Sequence, residues 1–172
     1  MKKTSYKYII ITALITAVFV SCTISYKFNG ASVDYNNTKT ISIADFPIRA
    51  ALVYPPLASV FNEALQDIYT RQTRLSIVKR NGDLQVEGEI TGYNLTPQAV
   101  KADAYASQTR LTISVRVKYT DTKNPNFNID QTFSAYRDFD SSLLLTQVQD
   151  DLITQITKEL ADIIFNATVA NW

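Results

Sequence analysis

Three basic residues fall on the same face of one predicted strand, where their types and spacing suit the binding of an anion. Arg110, Arg116 and Lys118 occupy polar positions of the segment 108–119, and Lys123 follows in the next loop. Since alternate residues of a strand share a face, the three strand residues would form a basic strip. Arginine suits phosphate well, because its planar guanidinium donates two parallel hydrogen bonds. The four residues are therefore candidate ligands of an anionic molecule.

The same face admits two interpretations that need no small ligand. In the first, the cations are solvated and pair across strands with Glu87 and Glu89, which share a face of the preceding strand. In the second, a larger protein covers the polar face. Tyr93, Tyr119 and Tyr136 lie nearby, and tyrosine is common at interfaces. The sequence leaves all three interpretations open.

Carboxylates are the other candidates for chemistry. Glu87 and Glu89 would act as a glycoside-hydrolysing pair only in a pocket and with one raised pKa, and nothing in the sequence indicates either. Gly88 and Gly92 fall within a predicted strand and lack the Lys-Ser/Thr ending of a phosphate loop. A solvated face is expected for the acids of the last predicted helix, which lie off its apolar stripe: Asp150, Asp151, Glu159 and Asp162.

The single cysteine, Cys22, lies at the end of a short apolar run near the start of the chain. Three lysines precede this run, 8–20, which is shorter than the roughly 20 residues needed to span a bilayer. Ser21 gives the small residue that precedes a lipidated cysteine, although Phe19 stands where leucine is usual. The alternative is a buried cysteine in an ordinary signal anchor. We predict a lipoprotein signal peptide over residues 1–21, lipidation of Cys22, a tether over 22–38 and one domain over 39–172.

Composition and charge exclude several functional classes. The chain of 172 residues has no histidine and one cysteine, so Ser-His-Asp and Cys-His nucleophile sites cannot form. A lipidated cysteine also removes the usual His/Cys zinc site. From residue 22 onward the chain carries 14 basic and 16 acidic side chains, a net charge of about −2, which is unlike a nucleic-acid binder. We expect no metal, no cofactor, no nucleic acid and no enzymatic activity.

Hydrophobic periodicity predicts the element order β-α-β-β-β-β-α. A period of two marks the strands, and an i, i+3, i+4 stripe marks two amphipathic helices, the first opening at Pro55-Pro56. Ser141 or Ser142 is the expected N-cap of the second. Two helices on one face of a four- to five-stranded, mostly antiparallel or mixed sheet make an α+β fold. The predicted strands are 39–46, 75–78, 84–93, 108–119 and 127–137, an irregular stretch spans 96–107, and the helices are 55–72 and 142–166.

These elements and their motifs resemble a known family. The lipoprotein signal is followed by Tyr26-Lys-Phe-Asn-Gly30, a strand and a proline-opened helix. Next come Arg71-Gln-Thr-Arg-Leu-Ser-Ile-Val78 and Asp83-Leu-Gln-Val-Glu-Gly-Glu-Ile90, then two strands and an amphipathic helix. Over nearly all of residues 22–172 the chain resembles the LptE family of lipopolysaccharide-assembly lipoproteins. It departs from many members at Thr23, where they have glycine.

The resemblance implies a partner, a ligand and a location. Such proteins sit inside the LptD β-barrel of the outer membrane, as plug and assembly partner during lipopolysaccharide insertion, and some are thought to contact lipopolysaccharide through basic residues. Here those would be Arg110, Arg116, Lys118 and Lys123. Cys22 is followed by neither aspartate nor an acidic run, so we expect a lipid-anchored protein on the periplasmic side of the outer membrane. The alternatives are a periplasmic lipid- or glycan-binding module, with an apolar pocket under its helices, and a hydrolase.

Overall fold

The predicted order of elements is confirmed in a computed structural model, which describes residues 33–52, 54–98 and 107–169. Cys22, the predicted signal peptide and most of the predicted tether lie outside these ranges. In the same ranges, neither helix has the length and apolar character that a membrane span requires. The strands are β1 (Thr40–Ile43), β2 (Ser76–Val78), β3 (Leu84–Gln98), β4 (Gln108–Asp121) and β5 (Ile129–Asp140), and the helices are α1 (Pro56–Gln72) and α2 (Leu145–Thr168).

The five strands form one mixed sheet in the order β2-β1-β3-β4-β5. β1 is parallel to both of its neighbours, whereas β3, β4 and β5 form an antiparallel meander. The parallel pairing of β1 with β2 follows from their connection, because α1 carries the chain back before β2 begins. The predicted α+β class, with two helices and a sheet of up to five strands, is therefore confirmed.

The core lies between the sheet and the helices, because the long strands β3, β4 and β5 bury alternate side chains on the helix side. β4 is the clearest example. Leu111, Ile113, Val115 and Val117 are fully buried, while the residues between them are exposed or partly exposed. These inward side chains join the stripes of α1 and α2 in a single hydrophobic cluster. Fully buried side chains fill this layer from both sides, among them Leu57, Phe61, Leu65, Ile156, Leu160 and Ile164.

The two helices are joined at their carboxyl ends by Tyr69 of α1. Its ring packs edge-on against Phe165 of α2, with ring centroids 5.3 Å apart. Its hydroxyl is 2.6 Å from the hydroxyl of Thr168, and both groups are buried. Burial raises the pKa of Tyr69, so the phenol stays neutral and keeps this hydrogen bond.

The start of α2 differs from the prediction. The helix begins at Leu145, and Leu144, not a serine, is its N-cap residue. β5 continues to Asp140, so Ser141 and Ser142 are used in the turn that follows the strand: Ser141 N–H donates to Ser107 and Ser142 N–H to Asp140. The N–H of Leu144 donates instead to the side chain of Gln147.

β3 is longer than predicted, and a bulge changes its pattern. The strand runs through Thr96-Pro97 to Gln98, where the sequence had indicated irregular structure. Its pairing with β4 shifts between Ile90 and Gly92, so residues after Thr91 exchange faces. Gly88 thus faces the helix side, opposite Val117, whereas Gly92 pairs with Ser114 on the other side. Phe46, from the segment after β1, packs over Gly88.

Candidate binding surface

The sheet face turned away from the helices carries the predicted basic strip. Val115 and Val117 of β4 point into the core, so Arg116 and Lys118 point outward. In the sheet register, Lys118 lies between Glu87 of β3 and Asp130 of β5. On this face β4 therefore carries cations, and its two neighbours, β3 and β5, carry acids.

Every cation of this strip is paired with a carboxylate. Nζ of Lys118 is 2.8 Å from Oε1 of Glu87, a cross-strand pair that the sequence had suggested. Arg116 donates two hydrogen bonds of 2.9 Å to Asp130, from Nε and Nη2. Arg110 donates two bonds, of 2.7 and 2.8 Å, to Asp138. The two arginine pairs are bidentate, the geometry in which a guanidinium binds a carboxylate best.

Neutral polar groups lie between and beside the ion pairs along the sheet. The hydroxyls of Ser114 and Ser134 lie 2.8 Å apart between the two arginine pairs. The guanidinium of Arg110 lies over the ring of Tyr136, 3.6 Å from its centroid, as a cation–π contact requires. We call this surface the ion-pair face: Glu87, Arg110, Ser114, Arg116, Lys118, Asp130, Ser134, Tyr136 and Asp138.

The charges on the ion-pair face hold one another ionised. Hydrogen bonding to Arg116 lowers the pKa of Asp130, and hydrogen bonding to Arg110 lowers that of Asp138. The same bonds raise the pKa values of the two arginines. An anionic ligand must therefore compete with a carboxylate for each guanidinium or use its free edge. The strip as a ligand site remains a prediction.

Lys123 lies apart from the other predicted ligands. It follows β4 and forms an ion pair with Asp83, 3.2 Å away. It lines a cavity of about 250 Å³ with Val33, Tyr119 and Phe127 at the end of the fold where the described chain begins. The structure therefore groups Arg110, Arg116 and Lys118 on one face and places Lys123 in a separate hollow.

Asp83 is a structural centre that the sequence analysis did not identify. Its Oδ2 accepts hydrogen bonds from the backbone N–H groups of Lys39 and Thr40 and from the Thr40 hydroxyl. Its carbonyl oxygen accepts two more from Thr122. The bonds to the carboxylate, that from Lys39 first and then those from Thr40 and Lys123, hold the pKa of the carboxyl well below its usual range. The signal in the sequence was the turn Asn81-Gly82-Asp83, in which Asn81 has a φ of 56°.

Nothing in the described ranges forms a metal centre, since no three His, Cys, Asp or Glu side chains there are grouped to hold an ion. Glu87 is tied to Lys118 on the ion-pair face. Glu89 lies on the same face, opposite Arg116 in the register. Both line a wide, open hollow together with Gly88 and Asp130.

Solved structures share this fold at low sequence identity. A minor lipoprotein from Acinetobacter baumannii aligns with a TM-score of 0.53 and 16% identity, covering 78% of this chain and 94% of its own. A hypothetical protein from Chlamydia trachomatis aligns with a TM-score of 0.52 and 11% identity, covering 78% and 99%. At identities this low, the similarity to these two structures establishes a shared fold and not a shared function.

The family itself is shown by the sequence. No curated protein sequence matches the chain. The family model for LptE, described as lipopolysaccharide-assembly, matches residues 38–168, from just before β1 to the end of α2. This range contains every strand and helix described above and the whole ion-pair face. The chain therefore belongs to the LptE family of lipopolysaccharide-assembly proteins.

Proposed function

We propose that this protein is an outer-membrane lipoprotein that partners an LptD-type β-barrel, as its plug and assembly factor, during lipopolysaccharide insertion into the outer leaflet. One observation carries the proposal: a chain of the LptE family exposes a broad sheet face whose cations are all matched by carboxylates. Such a face suits a polar protein wall.

Charge matching lowers the cost of covering this face. Removing an ion from water costs several kcal/mol unless a partner compensates it. Arg110 and Arg116 already have bidentate carboxylates, so a barrel lumen need not supply a counter-charge for each. The hydroxyls of Ser114, Ser134 and Tyr136 remain available for hydrogen bonds to the wall.

Membrane attachment is the second part of the proposal. Residues 1–21 would be removed as a signal peptide, and Cys22 would carry the acyl chains that hold the protein on the periplasmic side of the outer membrane. At about 0.8 kcal/mol per buried methylene, two or more chains anchor a protein almost permanently. The tether 22–38 then keeps the domain near a barrel in the same membrane, which raises its effective concentration for docking.

The test of the partnership is affinity purification of the full chain from outer membranes in mild detergent. We expect a large β-barrel to co-purify in a fixed ratio. Cys22→Ala should lower this recovery while the unfolding midpoint of the domain stays unchanged, because Cys22 precedes in sequence all the residues that form the strands and helices. Repeated purification without a barrel would contradict the proposal and favour the alternative, a periplasmic lipid- or glycan-binding lipoprotein.

The third part of the proposal is a direct contact with lipopolysaccharide. The contact residues would be Arg110, Arg116, Lys118 and Lys123. Phosphate groups would exchange with Asp130 and Asp138 on the two arginines, since carboxylate and phosphate accept the same pair of bonds.

Two double variants test this exchange in a lipopolysaccharide binding titration. Replacing Arg110 and Arg116 by glutamine should weaken binding about tenfold or more, since a hydrogen bond to a charged group contributes roughly 1.5–3 kcal/mol. Asp130→Asn with Asp138→Asn should strengthen binding, because it frees both guanidiniums. If both folded double variants bind like the wild type, the arginines do not contact lipopolysaccharide.

A further inference from the structure

Four exposed leucines lie at the end of the fold where α2 begins. Leu143 and Leu144 directly precede the helix and are 44% and 67% exposed. Leu52, in the segment before α1, is 55% exposed, and Leu95, near the end of β3, is 39% exposed. Single exposed leucines are ordinary, but several at one end of a small domain indicate a contact surface. We call these four residues the leucine tip.

Hydrogen bonds and register place the four at the same end of the fold. The hydroxyl of Tyr54 donates to Asp150 of α2 over 2.7 Å, which brings the segment containing Leu52 to the first turns of that helix. Leu95 pairs with Leu111, which pairs with Arg137 of β5. Arg137 is three residues before the end of β5 at Asp140, and the turn to Leu143 and Leu144 follows directly.

The fold gains little from leucine at these positions. Leu144 is an N-cap, where serine, threonine, aspartate or asparagine would stabilise the helix by about 1 kcal/mol relative to an apolar residue. Ser141 and Ser142 precede it but serve the turn. A leucine that neither caps the helix nor enters the core leaves its apolar surface in water, and burial against another molecule would remove that cost.

An acidic rim borders the leucine tip. Asp140 ends β5, and Asp150 and Asp151 lie in the first turns of α2. Their contacts are with neutral groups: Ser142 N–H, the Tyr54 hydroxyl and the Gln155 side chain. In the described part of the chain none of the three forms an ion pair with lysine or arginine. The rim is therefore negative.

This charge pattern selects the occupant. A second copy would bring acid against acid across a symmetric contact, and an anionic membrane surface would repel the rim. The described chain begins at the other end of the fold, where Val33 lies beside Tyr119 and Thr168. The leucine tip thus lies at the end opposite the membrane tether.

We propose that the leucine tip docks into an apolar hollow of a protein partner rimmed by lysine and arginine. The apolar centre and acidic rim of the tip indicate such a partner independently of the proposed function. The identification of the partner as the barrel rests on the proposed function. The bases of the partner would meet Asp140, Asp150 and Asp151 around the buried leucines, an apolar centre with a polar rim.

Site-specific photo-crosslinking tests the contact in cells, using the full chain with a photoreactive residue at position 144. We expect an adduct with the barrel, mapped to a segment that contains lysine or arginine. Position 162, an exposed site near the other end of α2, is the control and should give no adduct with the same segment of the barrel. Adducts with a second copy or with lipid only, or none at all, would overturn the proposal. An adduct with a basic segment of a different protein would support the docking role of the leucine tip and would refute the barrel as its partner.

Variants supply the quantitative test, with barrel recovery as the readout. Leu143→Ser with Leu144→Ser should lower recovery at least tenfold, because interface leucines buried in a pocket dominate binding. Ile77→Ser, which changes a 43% exposed residue of the edge strand β2, should not. Asp151→Lys should also lower recovery, whereas Asp162→Lys should not. Wild-type recovery by both folded tip variants would overturn the tip inference and leave the barrel partnership standing.

Discussion

Gly88→Ala should destabilise the domain by about 3 kcal/mol or more, near the upper end of what overpacking costs. A Cβ at this position would overlap the backbone carbonyl oxygen of Arg116 and lie 2.5 Å from Cε1 of Phe46. The carbonyl belongs to β4, which is paired on both sides, and cannot move without breaking sheet pairing. Phe46 cannot yield easily either, since it is buried and packs edge-on against Phe61 of α1, with centroids 5.3 Å apart.

The measurement is denaturant unfolding of the purified variants, with Gly92→Ala as the matched control. Gly92 lies in the same strand, and the atoms nearest to its added Cβ would be Cβ and Oγ of Ser114 and Nδ2 of Asn94, at 3.0–3.2 Å. The Asn94 amide can rotate away, and the Ser114 contacts require a shift of only a few tenths of an ångström, so we expect a loss of about 1 kcal/mol, smaller than at Gly88. Equal losses in both variants would show that the Phe46 contact does not set the cost.

Asp83→Ala should lower the free energy of unfolding by about 2 kcal/mol at neutral pH, because it leaves the N–H groups of Lys39 and Thr40 without their acceptor. It also removes the partner of Lys123. The loss should fall mainly on β1, which supplies the Thr40 donors, and to a lesser degree on the turn after β4, which loses only the Lys123 pair. The bonds from Thr122 to the backbone carbonyl of Asp83 remain in the variant. Asp83→Asn keeps the shape and removes the charge, so it separates the two contributions.

The sign of the pH dependence follows from the lowered pKa of Asp83 in the folded state. In the unfolded chain the carboxyl has a pKa of about 3.9, so acid protonates the unfolded state first. The stability that Asp83 provides is present above about pH 4 and is lost as the pH falls further. The stability difference between wild type and Asp83→Asn should therefore shrink from pH 6 to pH 3. A constant difference would show that the charge is not what matters.

The sequence predicted best where one physical rule acted alone. The alternation in β4 and the stripes of both helices follow from burial on one side, and each element was found within a few residues. Thr96-Pro97 looked like a loop, yet it lies in β3, where pairing to Arg110 and Thr109 extends the strand. Ser141 and Ser142 were predicted as N-caps because cap preference depends on residue type alone. In the structure β5 extends to Asp140, so both serines lie in the turn that follows this strand.

The candidate surface was predicted in part, for a similar reason. The cations were found because they share one strand, and the Lys118–Glu87 pair because those strands are neighbours in sequence. Asp130 and Asp138 were missed as partners of Arg116 and Arg110, because their pairing depends on the register of β5 against β4. A shift of one residue would have turned both aspartates to the other face, and pattern alone does not fix that register.

The position of β1 between two parallel neighbours has a consequence for how the chain folds. β3, β4 and β5 are consecutive antiparallel strands, so their contacts form through short loop closures and can appear early. β1 pairs with Leu84 and Ser76 across more distant sequence, and neither parallel ladder can close before α1 has crossed the sheet. The β1–β2 edge is then the last part to assemble and the first to open. The described chain enters the sheet at β1, so a pull on the proposed anchor at Cys22 would act first on the strand pair that forms last.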